Sequence, residues 1–145
     1  MDDGKPITIV LADDHEMIRA AVRLLLDGED GMAVVGEAAD GRAAVRLARE
    51  LSPDVVVMDL RMPALGGPEA VRQAAAAGPG VRVLVMSAFA DGRVVREVLD
   101  AGASGYVVKD AAAEELPAAV RAVARGAVYL HPHVAAAVGR TAGGS

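Results

Sequence analysis

The stretch VVVMD, residues 55–59, is a short apolar run of mostly β-branched residues that ends in an acidic residue. Three other runs share this form: ITIVLA (7–12) precedes Asp13 and Asp14, VRVLVM (81–86) precedes Ser87, and GYVV (105–108) precedes Lys109. Runs of this length and composition are typical of buried parallel strands. The carboxyl ends of parallel strands emerge on one edge, where ligands bind in open α/β folds. Three carboxylates, a hydroxyl and an ammonium group are therefore expected to converge at that edge.

Segments with helical spacing of apolar residues separate these runs. Ile18, Ala21, Val22 and Leu25 share one helical face, and 44–51, 94–99 and 116–123 repeat the spacing. The predicted strands are Ile7–Ala12, Met32–Ala38, Asp54–Met58, Val81–Met86 and Gly105–Val108. Five strand–helix repeats predict an α/β fold with a doubly wound, five-stranded parallel sheet, because right-handed crossovers place helices on both faces.

Composition limits the possible functions. A chain of 145 residues that is 53% apolar has room for one domain with a real core. The net charge of −5 argues against binding to a nucleic-acid backbone, which needs a basic face. The chain contains no cysteine, opens with the acidic MDDGK and has no apolar run long enough to cross a bilayer. We therefore expect a cytoplasmic protein with no membrane partner.

The chain resembles the receiver domain of bacterial two-component response regulators. The resemblance is carried, in order, by LADDH (11–15), VVVMDLRMP (55–63), MSA (86–88) and AGASGYVVKD (101–110), and it extends over about residues 6–125. It implies the flavodoxin-like, CheY-like receiver fold with strand order 2-1-3-4-5. The DDH segment, and Asp110 where many receivers have a cis-proline, resemble the NarL/FixJ (LuxR-type) subfamily of transcription regulators.

A carboxylate attacks phosphorus poorly unless a cation offsets its repulsion from the phosphoryl oxygens. Mg²⁺ suits this task, because one or two carboxylates and several waters can complete its octahedral shell; Mn²⁺ is a possible substitute. The resemblance implies that Asp59 is the phosphorylated residue and a metal ligand. It also implies that Asp13 or Asp14 is a second ligand, with the other acting through water, and that the backbone carbonyl of Arg61 is a third. The alternative for Asp13 and Asp14 is a purely structural role at a helix start.

Four further residues complete the predicted phosphoryl-binding and switch set. Lys109 would pair with Asp59 before transfer and with a phosphoryl oxygen afterwards, while Ser87 would donate a hydrogen bond to another oxygen. Ala88 is small and leaves the phosphoryl group room. By resemblance, Tyr106 turns inward when Ser87 moves; the alternative is a tyrosine resting at the sheet edge.

Other positions support more limited expectations. By resemblance, the bulky Arg61 and Phe89 lie where side chains can block or orient the attacking water, which predicts slow self-dephosphorylation. His15 is interpreted as a positioning or solvated residue rather than a catalytic one. His131 and His133 are expected to have no acidic or cysteine partner nearby and are interpreted as linker residues without a metal role. Pro117 predicts that the last helix starts near Glu114 or is bent there.

The predicted organisation is a receiver domain over residues 1–126, followed by a linker over 127–145 toward a C-terminal helix-turn-helix domain absent from this chain. A histidine kinase is the expected phosphoryl donor, and phosphorylation is expected to promote a homodimer. DNA would be bound only through the missing domain. One alternative is a stand-alone receiver that binds partners without phosphorylation. Another is a magnesium-dependent phosphatase of the haloacid dehalogenase type, but Arg61 stands where such enzymes carry their second acid.

Overall fold

The computed structural model describes the backbone of residues 4–143 and the side chains of residues 4–139. Strands and helices alternate along the described chain. They are β1 (Ile7–Ala12), α1 (Glu16–Asp27), β2 (Met32–Ala38), α2 (Gly41–Leu51), β3 (Val55–Asp59), α3 (Gly67–Ala75), β4 (Arg82–Ser87), α4 (Gly92–Asp100), β5 (Gly105–Val108), α5 (Ala112–Ala124), β6 (Tyr129–Leu130) and α6 (Pro132–Gly143). Strands β1, β2 and β5 have their predicted bounds, whereas β3 and β4 lie one residue further along the chain. Asp59 and Ser87 are therefore the last residues of strands.

The sheet is parallel throughout, with the order β2-β1-β3-β4-β5-β6. The first five strands have the predicted order, but the predicted number of five strands is wrong. The sixth strand pairs with the outer edge of β5, where Gly105 is opposite Tyr129 and Tyr106 is opposite Leu130. A strand of two residues is too short to produce the apolar periodicity from which strands are predicted.

Two hydrophobic clusters cover the two faces of the sheet. On β1, Ile9 and Leu11 belong to the cluster that includes side chains of α1 and α5, while Val10 and Ala12 belong to the cluster that includes side chains of α2, α3 and α4. Both faces are thus buried, which explains why the strands read as continuous apolar runs rather than as an alternating pattern. Within the described chain, no helix is both long and apolar enough to span a membrane.

Helix α5 begins at Ala112, two residues before the predicted start near Glu114, because a 3₁₀ turn over Lys109–Ala111 leads into it. Pro117 lies inside the helix, so the N–H that would bond to the Ala113 carbonyl is missing. Ala113 is exposed, and water can take the place of that donor. The buried side chains of Leu116 and Val120 hold the helix against the sheet.

The C-terminal segment, defined here as β6 and α6, packs on the rest of the fold. Helix α6 lies against α4, and its Val134 is fully buried in the cluster that contains Tyr106. His131 Nε2 lies 3.0 Å from Glu115 Oε2, so the expectation that His131 has no acidic partner nearby is wrong. The sequence gives no sign of this pair, because Glu115 belongs to a different element, α5. The predicted linker role of residues 127–145 stays a prediction, and residues 1–3, 144 and 145 lie outside the described part.

Candidate functional site

Two acidic side chains meet where β1 and β3 end. The strands are direct neighbours, with Ala12 opposite Met58, so Asp13 after β1 and Asp59 at the end of β3 lie side by side. Asp13 is 2% exposed and Asp59 3% exposed, and Ser87 is the third buried polar side chain of the described residues. Buried carboxylates are unfavourable unless they are paired. Their burial at the point where the strand order reverses is typical of a ligand site.

Lys109 supplies the opposite charge. Its Nζ lies 3.1 Å from Asp59 Oδ2 and 3.2 Å from Asp13 Oδ2. The lysine follows β5 directly, and only one strand, β4, separates β5 from β3. One ammonium group therefore bridges both buried carboxylates, which offsets part of the cost of burying them.

Asp14 and His15 form the exposed rim of this pocket. The His15 N–H donates to Asp13 Oδ1 at 2.8 Å, and its ring Nδ1 lies 3.1 Å from the same oxygen. The same Nδ1 is 3.3 Å from Asp14 Oδ1 and 4.0 Å from Asp59 Oδ2. His15 thus lies against all three carboxylates.

The donor set fits a divalent cation. Asp13, Asp14, His15 and Asp59 can each offer one ligand atom, and these atoms lie within 4.8 Å of one another. Asp13 Oδ2 is buried and accepts no hydrogen bond from the described residues, although Lys109 lies close to it. Carboxylate oxygens are the ligands that Mg²⁺ and Mn²⁺ favour. The structure therefore contains a cluster that could hold a metal ion.

Two loops close the pocket on the side of α3 and α4. The Arg61 N–H donates to Asp59 Oδ1 at 3.3 Å and orients that carboxylate. The Arg61 guanidinium carbon lies 4.9 Å from the centroid of the Phe89 ring, which is within cation–π range. Arg61, Phe89, Ser87 and Tyr106 line one cavity of about 700 Å³.

Phe89 also connects Ser87 to Tyr106 through its backbone. Ser87 Oγ accepts a hydrogen bond from the Phe89 N–H at 3.4 Å, and the Tyr106 hydroxyl donates to the Phe89 carbonyl at 2.7 Å. Tyr106 is 1% exposed, and burial raises the pKa of its hydroxyl. Tyr106 thus occupies an inward position rather than resting at the sheet edge. Ala88 lies exposed between Ser87 and Phe89.

Residues 9–121 match the response regulator receiver domain family. The chain belongs to this family. It is 43% identical over 128 residues to the transcriptional regulatory protein DegU of Brevibacillus brevis, a match that covers 88% of this chain and 54% of that protein. The chain thus spans little more than half the length of this relative.

Two solved structures also resemble this receiver. A LuxR-family two-component response regulator from Aurantimonas sp. SI85-9A1 superposes with a TM-score of 0.89 at 37% identity, covering 95% of this chain and 99% of the other. The signal receiver domain of NarL from Mycobacterium tuberculosis gives a TM-score of 0.80 at 34% identity, covering 84% of this chain and 98% of the other. Both similarities agree with the fold described above.

Arg19 on α1 also contacts the site, and nothing in the sequence predicted it. Its Nη1 donates to the backbone carbonyl of Asp13 at 2.6 Å. No residue pattern signals this contact, because an arginine on the first helix ordinarily belongs to its solvated face.

Proposed function

We propose that this receiver accepts a phosphoryl group on Asp59 from a histidine kinase. The observation that carries the proposal is the pair of buried carboxylates bridged by Lys109, in a chain of the receiver family. An Asp59 carboxylate oxygen attacks the phosphorus of a phosphohistidine, a P–O bond forms, and the P–N bond breaks. The leaving imidazole nitrogen then takes a proton from solvent.

Two side chains of the pocket, Lys109 and Ser87, would assist this transfer. Lys109 lies 3.1 Å from Asp59 and is placed to move its contact from the carboxylate to a phosphoryl oxygen. Ser87 would donate to a second phosphoryl oxygen, and the exposed Ala88 leaves space beside it. Preorganised donors of this kind stabilise developing charge without reorganisation during the reaction.

Mg²⁺, or Mn²⁺ in its place, would be held by Asp59, by Asp13 or Asp14, and by the backbone carbonyl of Arg61, with the remaining acid acting through water. When bound, the ion offsets the repulsion between the carboxylate and the phosphoryl oxygens. Carboxylate ligands must be deprotonated to hold the ion, so cation binding should weaken at acidic pH. The donor set supports this assignment, because three of its four ligand atoms are carboxylate oxygens.

The switch would pass through Phe89. Movement of Ser87 toward a phosphoryl oxygen disturbs its contact with the Phe89 N–H, and the Phe89 carbonyl is held by Tyr106. The affected surface would comprise α4, β5 and α5, and the C-terminal segment covers part of it by packing on α4 and pairing with β5. We expect this surface to control homodimer formation and, in a longer protein, a DNA-binding domain. The function of DegU as a transcriptional regulatory protein supports such an output.

The test is the intact mass of the chain after incubation with acetyl phosphate and Mg²⁺, beside Asp59→Asn and a magnesium-free sample. We expect the gain of a single phosphoryl group that requires both Asp59 and Mg²⁺. No gain in a folded, magnesium-binding protein, with its kinase as donor as well, would overturn the proposal. That result would favour the alternative of a module that binds partners without phosphorylation.

A further inference from the structure

Asp13 is fixed through each of its polar atoms. Its N–H donates to the Ala38 carbonyl at 3.0 Å, Oδ1 accepts from the His15 N–H at 2.8 Å, and Oδ2 lies 3.2 Å from Lys109. The remaining atom is the backbone carbonyl, and Arg19 Nη1 donates to it at 2.6 Å. The acidic loop between β1 and α1 is thus held from β2, from β5 and from α1.

Arg19 is itself held by an acid on β2. Its Nε donates to Glu37 Oε1 at 3.0 Å, so one planar guanidinium group joins the acidic loop to the neighbouring strand. Arg23 donates to Oε2 of the same carboxylate. Hydrogen bonds from Arg23 and, to a smaller extent, Arg19 lower the pKa of Glu37. Arg19 is 19% exposed and Glu37 28%, so solvent screens their pairing only in part.

We infer that Arg19 is a positioning residue that fixes the Asp13–Asp14 backbone in the geometry required for divalent cation binding. The inference rests on the proposed function for the use of the cation, but the positioning is a property of the metal-free chain. Arg19 acts through a backbone carbonyl and touches neither the cluster's ligand atoms nor Asp59. It therefore organises the site without belonging to it.

The direction in which removal of Arg19 changes the affinity for the cation distinguishes a positioning role from simple electrostatics. Arg19 is a positive charge close to a cation site, so its removal by charge alone should tighten cation binding. If Arg19 positions the acidic loop, its removal should weaken cation binding instead. Partners that orient metal ligands typically contribute about ten- to a hundredfold in affinity.

Arg19→Met and Arg23→Met make a matched pair. Each removes one positive charge and one partner of Glu37, but only Arg19 contacts Asp13. Arg23→Met also removes the 3.2 Å pair with Asp27, so it is the more disruptive control for surface charge. Both variants retain an unbranched apolar stem for packing.

The first readout is amide hydrogen exchange of residues 13–16 in the metal-free chain, and the second is the Kd for Mg²⁺ by calorimetry. We expect Arg19→Met to speed the exchange and to raise the Kd about tenfold, with Arg23→Met within about twofold of the parent chain. Acetyl phosphate labelling of Arg19→Met should need more Mg²⁺ for half-saturation yet reach the parent rate at saturation. An unchanged or tighter Mg²⁺ affinity together with unchanged exchange would overturn the inference.

Arg19→Lys keeps the test decisive if Arg19→Met does not fold. Lysine retains the charge, but its single ammonium group cannot donate to Glu37 and to the Asp13 carbonyl in the geometry of the planar guanidinium group. We expect it to raise the Kd for Mg²⁺ by less than Arg19→Met does but by more than the roughly twofold allowed for Arg23→Met, and parent-like affinity and exchange would overturn the inference. Failure of the proposed function is distinguishable, since the parent chain itself would then gain no phosphoryl group while the exchange difference persisted.

Discussion

The acidic pocket and the C-terminal segment both contact β5, but they are held in different ways. The pocket contains two carboxylates that are 2% and 3% exposed, bridged by Lys109. The C-terminal segment is anchored by buried Val134, by polar contacts to Glu115 and by an N–H of His131 that donates to the Tyr106 carbonyl at 3.1 Å. The pocket is therefore stabilised by buried charges that depend on one another, and the segment by a buried apolar side chain and by hydrogen bonds that water can replace. A change in the pocket should cost more than a change in the segment.

The largest loss of stability is expected for Lys109→Met. This substitution leaves Asp13 and Asp59 buried without their bridging cation, and removal of one partner from a buried ion pair costs about 3 kcal/mol. Urea unfolding of the metal-free chain measures the loss. The double variant Asp59→Asn, Lys109→Met should lose less than Lys109→Met alone, because one of the two stranded charges is gone. Parent-like stability of Lys109→Met would show that the carboxylates do not depend on the lysine.

Val134→Asp tests the C-terminal segment. The new charge cannot remain in the cluster that contains Tyr106, so β6 and α6 should detach while β1 to α5 stay folded. The expected loss is about 2 kcal/mol, the contribution of one fully buried valine, because β1 to α5 keep their own core. Amide exchange of residues 129–139 measures the detachment of the segment, and urea unfolding measures the loss of stability.

Ala135→Asp is the matched control, because Ala135 is the exposed neighbour of Val134. It should leave stability within about 0.5 kcal/mol of the parent chain. Acetyl phosphate labelling should persist in both variants. A Val134→Asp chain that unfolds completely would contradict the comparison, since the segment would then support the pocket.

The difference between the two regions also explains what the sequence could predict. Asp59, Ser87 and Lys109 each end or follow an apolar run, so the shared edge of the sheet follows from the parallel topology alone. The segment carries no such pattern, because β6 has two residues and α6 is rich in alanine. Contacts between distant elements were equally hidden: neither Glu115 beside His131 nor Arg19 on the Asp13 carbonyl has a local sequence signal. The functional residues at the strand ends were predictable from the sequence, whereas the residues that hold neighbouring groups in place were not.

Glu115→Gln should weaken the segment by about 1 kcal/mol, the size of a typical hydrogen bond. The Tyr129 hydroxyl donates to Glu115 Oε1 at 2.6 Å, and this bond is the main cause that raises the pKa of Tyr129 to about 12. A raised folded pKa contributes stability that is fully present below pH 10 and is lost as the pH rises toward 12. The segment of the parent chain should therefore dock less tightly in that window.

Tyrosinate absorbance measures this titration, because the chain has only two tyrosines. In Glu115→Gln, the pKa of Tyr129 should fall toward its ordinary value, while the buried Tyr106 keeps its raised pKa. Two tyrosines that both titrate as in the parent chain would show that Glu115 does not hold the segment.

The smallest effect is expected for Phe89→Ala, at the residue that lies between the two regions. Its ring is 55% exposed and stacks on Arg61, whereas its backbone holds Ser87 and Tyr106. The substitution therefore removes the ring that lines the cavity beside Ser87 and Tyr106 but keeps the backbone contacts. An exposed cation–π contact contributes about 0.5–1 kcal/mol, which corresponds to a roughly threefold faster loss of the aspartyl phosphate. Val94→Ala is the control, because Val94 lines the same cavity. The decay of phosphorylated mass with time decides the outcome, and a parent half-life of only seconds would contradict shielding by Arg61 and Phe89.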